Sequence, residues 1–316
     1  MDNTVAIIAC LKTEELYIRE WLDYHISIGV DHFYLCDNND SDYPIKLIDI
    51  VHDYIDKGLV DIFNYNDVHP IQPICYTEIY YNFGDDYDWY LIIDVDEFLT
   101  IPITNNDLKK FIESFPDYID NIAFNWRFYG DNGLIEYDGR GCLERFTQPE
   151  NIVKNDHHKI LNGKSNKIKT MCRNKQYYLD NYPYFNPIIY HQHYGFDRKQ
   201  INTYNKHNEI KLIKYDVLFD PIKWQTEYHP LTIENLFNQD DPVYDKRFQD
   251  IYNICYLKHF YSKTIDEFIK YKINRGDTIK DFNHEKYPYS LGKFFGHNYC
   301  TEAHKKFLLE KYGIKR

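Results

Sequence analysis

The chain lacks most of the signatures that tie a sequence to a compartment or a cofactor. None of its seven cysteines forms a CxxC pair: Cys10, Cys36, Cys75, Cys142, Cys172, Cys255 and Cys300 are scattered, and their count is odd. That spacing speaks for reduced thiols in a cytoplasmic setting and against a disulfide framework or a zinc knuckle. No run approaches the ~18 apolar residues of a membrane span. The opening "MDNTVAIIACLK" has neither a basic n-region nor a long apolar stretch. A soluble protein without a signal peptide or transmembrane segment is therefore expected. Positive charge is also scarce: 37 Lys and Arg stand against 49 Asp and Glu, a net charge of -12. The field of such a molecule repels nucleic acid, so no nucleic-acid partner is expected, and an anionic substrate needs a metal ion or a local basic pocket. Internal repeats and Gly/Ser linkers are missing too, which favours one elaborated domain over separable modules.

What is present suffices for a large core, with 316 residues, 43% of them hydrophobic and 18% aromatic. The 32 tyrosines fit coding bias or stacking on carbohydrate. "TVAIIACLK" reads as a buried strand, "EELYIREWLDYHISIG" as a helix ending at Gly29, and "VDHFYLCDN" as a second strand. A helix closed by Gly58 leads to the strand "LVDIFNY", and a helix from about Ile74 to Phe83 leads to "DWYLIIDVDEF". This alternation predicts an α/β fold with a Rossmann-like, mostly parallel sheet flanked by helices, in which ligands bind beyond the carboxyl ends of the strands. No GxGxxG follows the first strand, which lowers the standing of an ordinary dinucleotide fold. "IDNIAFNWRFYG" adds a strand. Past about Gly133 the pattern gives way to loops and short strands, with helices returning at "KTIDEFIKYKINRG" and "TEAHKKFLLEKYG".

The strand "LIIDVDEF" ends in Asp94, Asp96 and Glu97. Residues two apart on a strand share a face with Cα atoms about 6.6 Å apart, so Asp94 and Asp96 can converge on one ion while Val95 points away. Two carboxylates about 4 Å apart repel by about 4 kcal/mol at an effective dielectric near 20, and a divalent cation reverses the sign. Hard oxygen ligands suit Mg2+ or Mn2+, which keep positions open for phosphate oxygens. A solvated strand end with N-capping aspartates gives the same three letters. The apolar strand before them and the aromatic after them favour the metal.

Several blocks in order resemble glycosyltransferases of the GT-A fold, in the family-2-like branch related to glycosyltransferase family 92. "ACLKTEELYIREWLDYHISIGVDHFYLCDNNDSD" is similar to the opening of that family, with Thr13 where the family has Asn. "DWYLIIDVDEF" resembles its metal-binding strand, and "NWRFYGDNG" and "LERF" the blocks that follow. "LKHFYSKTIDEFIKYKINRG" is similar to its closing block, with Lys258 and Phe260 replacing Asn and Tyr. The resemblance implies transfer of a hexose, galactose or glucose, from a UDP-sugar to a glycan or other hydroxyl, with Mn2+ or Mg2+. It implies that Asp94 and Asp96 hold the metal and the diphosphate, with His259 completing the metal shell and Lys263 meeting the diphosphate. Ala9, Lys12, Glu14 and Asp37 would line the nucleotide pocket. It also implies one catalytic domain over 1–280, with a nucleotide-sugar half (1–130), an acceptor half (131–280), and an extension over 281–316 carrying a short helix.

The residues themselves allow plainer readings: a packed His259, a solvated Lys263, a turn residue at Asp131, an ion pair at Glu144 with Arg145. Transfer that inverts configuration needs a general base, for which Asp131 in "FYGDNG" and Glu144 in "LERF" are the candidates; transfer that retains it needs none of this kind. Gln72 and Tyr76, just after a strand end, border the nucleotide or start a helix. Trp126 stacks on an acceptor or packs in the core. His191 and His193 in "HQHYGF", like "DHHK" over Asp156–Lys159, lack an evident third zinc ligand and fit structural or substrate hydrogen-bonding roles. Glu97 is assigned to hydrogen bonding around the metal or to contact with the donor sugar. Self-association is left open. The rivals are a metal-dependent phosphohydrolase, disfavoured because no nucleophilic Asp motif stands at the first strand, and a noncatalytic glycan- or sugar-nucleotide-binding protein.

Overall fold

Val5–Leu11 is apolar throughout and forms β1, buried along its whole length. A strand apolar on both faces belongs inside a sheet that is covered on both sides. β2 (His32–Asp37), β3 (Val60–Asn64) and β4 (Trp89–Ile92) extend that sheet. All the pairings are parallel: Ile7 lies opposite Phe33 and Leu91, and Leu35 opposite Ile62. Parallel neighbours require long crossovers. These are α1 (Ile18–Ser27), α2 (Leu47–Asp56) and α3 (Gln72–Phe83). Gly29 (φ 107°) and Gly58 (φ 71°) follow the first two in the left-handed region, where a side chain is strained. The computed structural model describes residues 3–68, 71–115, 121–150, 164–176, 252–274 and 287–314.

The strand order β3-β2-β1-β4 reverses direction between β1 and β4. In α/β sheets such a switch point opens a crevice at the carboxyl ends of the strands. Beyond β4 lie β5 (Glu97–Thr100), β6 (Asn121–Phe128), β7 (Lys164–Arg173) and β8 (Tyr256–His259). The full order is β3-β2-β1-β4-β7-β6-β8-β5, and β7 runs antiparallel to β4 with Thr170 opposite Ile92. The α/β class is as expected, but the sheet is mixed. An antiparallel neighbour needs no helical crossover, so no helix–strand alternation announces it in the sequence.

Alternation along the strands builds the core. Ala6, Ile8 and Cys10 of β1, Tyr34 and Cys36 of β2, and Tyr90 and Ile92 of β4 share one face with Cys75, Tyr76, Ile79 and Tyr80 of α3. Each isoleucine among them contributes about 1.5–3 kcal/mol on full burial. On α1, Trp21 packs against Phe33 with ring centres 5.5 Å apart. The same helix satisfies the backbone of β5. Trp21 Nε1 donates to Glu97 O (2.8 Å), Tyr24 Oη donates to Leu99 O (2.7 Å), and Leu99 N–H donates to His25 Nε2 (3.3 Å). α4 (Leu108–Glu113) follows, its N-terminus capped by Asp107.

Two compact units emerge, one from Met1–Trp126 and Asn166–Leu257, the other from Arg127–Ser165 and Lys258–Arg316. The second contains α5 (Cys142–Arg145), α6 (Ile265–Phe268), α7 (Tyr287–His297) and α8 (Glu302–Tyr312). Thr264 opens α6 with a reciprocal capping box to Glu267, and the helix runs on as a π-helical stretch over Ile269–Ile273. Ile265, Phe268, Ile269, Leu291, Phe294 and Leu308 form its apolar core. α8 is the helix expected in the tail. It is tied to α6 by the Tyr312 hydroxyl, which donates to Asp266 Oδ1 at 2.6 Å.

Candidate active site

The carboxylates after β4 do not sit on a continuing strand. The chain leaves extended structure after Ile92, turns through Asp94–Asp96 and re-enters it at Glu97. The turn is closed twice: Glu97 N–H donates to Asp94 O (3.0 Å), and Asp94 N–H donates to Glu97 Oε2 (3.0 Å). The strand spacing expected for Asp94 and Asp96 therefore gives way to a turn that gathers three acidic residues. Asp96 is 3% exposed and Glu97 fully buried, while the Asp94 side chain keeps 22% exposure. Glu97, the least legible of the three in the sequence, is the most enclosed.

Lys169 of β7 meets this cluster. Its ammonium is fully buried, 2.8 Å from Asp94 Oδ2 and 3.5 Å from Glu97 Oε1. Burial pushes the Glu97 carboxyl well above the usual carboxylate range; Lys169 opposes the shift, and Asp94 and Asp96 add to it. Gln72 Nε2 and the Tyr76 hydroxyl reach Asp94 Oδ1 at 3.4 and 3.5 Å. Burial, then the charge of Asp94, raises the Tyr76 pKa, so its hydroxyl stays a neutral donor. The Trp126 ring, buried on β6, has its centre 5.7 Å from Lys169 Nζ. Gln72, Tyr76, Asp94, Asp96, Glu97 and Trp126 thus gather around one cluster. Lys169 was missed because it lies in a stretch whose polar residues hide the strand.

A second group lies where β1 and β2 end. Ala9 is buried within β1, and Lys12 and Glu14 are buried just after it. Lys12 Nζ is 2.6 Å from Asp40 Oδ1. Thr13 takes a positive φ of 53°, and its N–H donates to Asn39 Oδ1 (2.8 Å). Asp37 Oδ1 accepts from the backbone N–H (3.0 Å) and the side-chain amide (2.7 Å) of Asn39, so this carboxylate shapes the loop. Glu14 O accepts the N–H of Ile18, which starts α1.

The second unit holds the remaining described candidates. His259, at the end of β8, is buried with its ring 5.0 Å from that of Phe128. Lys263 is buried at a positive φ of 50°, immediately before the Thr264 cap. Asp131 Oδ1 accepts the Gly133 N–H (2.9 Å), and Asp131 N–H donates to Asn298 Oδ1 (2.8 Å). Its Oδ2 lies 2.7 Å from His304 Nε2. Because His304 Nδ1 accepts the Thr301 N–H (3.3 Å), Nε2 carries the proton and donates to Asp131. Glu144 is exposed, 3.3 Å from Arg140. Its neighbour Arg145 is fully buried and grips Glu267 with a fork of 2.7 and 2.9 Å. Glu150, also unforeseen, is buried 2.8 Å from His297, and burial raises its pKa against the pull of that imidazole. His191, His193 and the "DHHK" residues lie outside the described residues.

The sequence model of glycosyltransferase family 92 matches residues 6–295. A glycosyltransferase family 92 protein of Arabidopsis thaliana is 23% identical over 162 residues, covering 46% of this chain and 27% of the relative. One from Oryza sativa subsp. japonica is 26% identical over 150 residues, covering 46% and 24%. The matched region thus spans about a quarter of the length of these relatives. Among solved structures, S. aureus TarS 1-349 aligns at a TM-score of 0.34 and 17% identity, covering 57% of this chain and 49% of TarS. Its complex with UDP-GlcNAc aligns at 0.31 and 17%, covering 43% and 37%.

Proposed function

The chain belongs to glycosyltransferase family 92, and we propose that it is a metal-dependent hexosyltransferase. In this reading it moves galactose or glucose from a UDP-sugar to a hydroxyl of a glycan. The observation that carries the reading is the enclosed carboxylate turn at the carboxyl end of β4, beside the switch point of the parallel strands. That is where α/β sheets take their ligands.

The donor set fits a hard divalent ion. Three carboxyl groups gather in one turn, Asp94 and Glu97 of them beside the Lys169 ammonium, and their oxygens match the preferences of Mg2+ and Mn2+. Asp94, Asp96 and, by the family resemblance, His259 would hold the ion, which when bound supplies charge neutralisation to the departing diphosphate. Ala9, Lys12, Glu14, Asp37, Gln72 and Tyr76 would border the nucleotide, with Tyr76 a neutral donor. Lys263 would face the diphosphate. Glu97 and Trp126, with His191 and His193, are assigned to the sugar and acceptor. In the transfer the bond from the anomeric carbon to the diphosphate oxygen breaks and a bond to the acceptor oxygen forms. The acceptor proton passes to a carboxylate, Asp131 or Glu144, if configuration inverts.

The test is nucleotide release from a panel of UDP- and GDP-sugars with Mn2+ and candidate acceptors. Release of UDP that depends on metal and acceptor is expected. Inorganic phosphate as the product would instead make the protein a phosphohydrolase, and binding without turnover would leave a sugar-nucleotide-binding protein.

A further inference from the structure

Lys169 belongs to no motif in the sequence reading, yet its ammonium is fully buried between two members of the carboxylate turn. Enclosing a lysine costs hydration and rotamer freedom, so a buried ammonium persists only where carboxylates compensate it. Register explains how it gets there. Thr170 lies opposite Ile92, so its neighbour Lys169 is level with the point where β4 gives way to the turn.

The contacts divide the two oxygens of Asp94. Oδ2 is held by Lys169 at 2.8 Å, while Oδ1 is met by Gln72 and Tyr76 at 3.4 and 3.5 Å. Contacts of the second kind are long and weak beside a charge-assisted bond, so an incoming ion displaces them at small cost.

Building on the metal-dependent transfer reading, we propose that Lys169 is a positioning residue of the metal site. Its fixed charge holds Asp94 and Glu97 in place before the ion arrives and sets how tightly the cluster takes that ion. The two effects have opposite signs. Without Lys169 the carboxylates repel one another and the turn is less stable, but the ion no longer faces a permanent cation beside its ligands. A lysine that served packing alone would not couple stability to ion affinity in this way.

The experiment titrates the purified full chain with Mn2+ alone, reading free ion by electron paramagnetic resonance, and records melting temperatures with and without Mn2+. Lys169→Gln is expected to bind Mn2+ at least about tenfold more tightly than the wild type. It should also melt lower without the ion and gain more from saturating Mn2+. Lys169→Arg, which keeps the charge, should stay within about threefold of the wild-type affinity. A Lys169→Gln chain that folds only in the presence of Mn2+ also supports the proposal. If that variant fails to fold with or without Mn2+, or melts lower with unchanged or weaker Mn2+ affinity, Lys169 is a structural ion-pair partner and the proposal is overturned. Absence of Mn2+ binding by the wild type is a different result, which removes the metal-dependent reading itself.

Discussion

His25 and Leu99, 74 positions apart, are joined by a buried hydrogen bond in which the Leu99 N–H donates to His25 Nε2 at 3.3 Å. His25 Nδ1 in turn donates to Trp21 O at 2.8 Å, so backbone groups on both sides fix one neutral tautomer. Protonating Nε2 would set two donors against each other inside the core. Burial accordingly lowers the His25 pKa from 6.5 to about 3, with the bond to Trp21 opposing. Below pH 6.5 the unfolded chain binds a proton that the folded chain refuses. The stability contributed is therefore complete above pH 6.5 and is lost as pH falls toward 3, by up to about 1.4 kcal/mol per pH unit. Urea unfolding of wild type and His25→Gln at pH 7, 6 and 5 should show the wild type losing more on acidification. Parallel losses would remove His25 as the cause.

Asp96→Asn preserves shape while removing a charge from the carboxylate turn. It should abolish metal-dependent UDP binding in calorimetry and leave the melting temperature within about 3 °C of wild type, the shift expected of a sub-kcal/mol change. Unfolding of the variant would instead mark Asp96 as structural.

Arg145 and Glu267 form an enclosed fork, with the guanidinium also 4.6 Å from the centre of the Phe146 ring. Arg145→Ala strands a carboxylate and should cost about 3–5 kcal/mol in chemical denaturation. The paired change Arg145→Met with Glu267→Leu should recover part of that loss, because the α6 capping box to Thr264 goes with the carboxylate. If the single variant loses under about 1 kcal/mol, as an exposed ion pair would, the fork contributes little.

Asp131 serves two readings that kinetics can separate. As a base, Asp131→Asn should drop kcat by about two to four orders of magnitude at little cost in stability. As the partner of His304, its main loss should be in stability, shared by His304→Ala. Thr301→Ala, which removes the α8 cap together with the hydroxyl's 2.7 Å bond to His304 Nδ1, should cost about 1 kcal/mol in stability.

The parallel half of the sheet is legible because every strand is a short apolar run separated from the next by a helix-length segment, with Gly29 and Gly58 as stops. The break after Ile92 is not. Ile93 and Val95 continue the apolar pattern through the turn, and both are buried, so periodicity reads one long strand. Lys169 is hidden for the converse reason, since β7 is mostly polar and no apolar run announces the strand that carries it. The candidate site was legible at Asp94 and Asp96 because their chemistry is local. The pairs of the second unit span 122 to 173 positions, and no local spacing predicts which carboxylate will meet which cation.

Those spans bear on the order of synthesis. Asp131, Arg145 and Glu150 leave the ribosome long before His304, Glu267 and His297 exist to pair with them. A nascent chain halted between these groups carries three polar side chains that have no native place to be buried. The unit they belong to is thus completed after translation of its distant second segment, whereas β1 to β4 can assemble from a single early stretch. Protease sensitivity of stalled chains should therefore persist in the second unit after the first has become resistant.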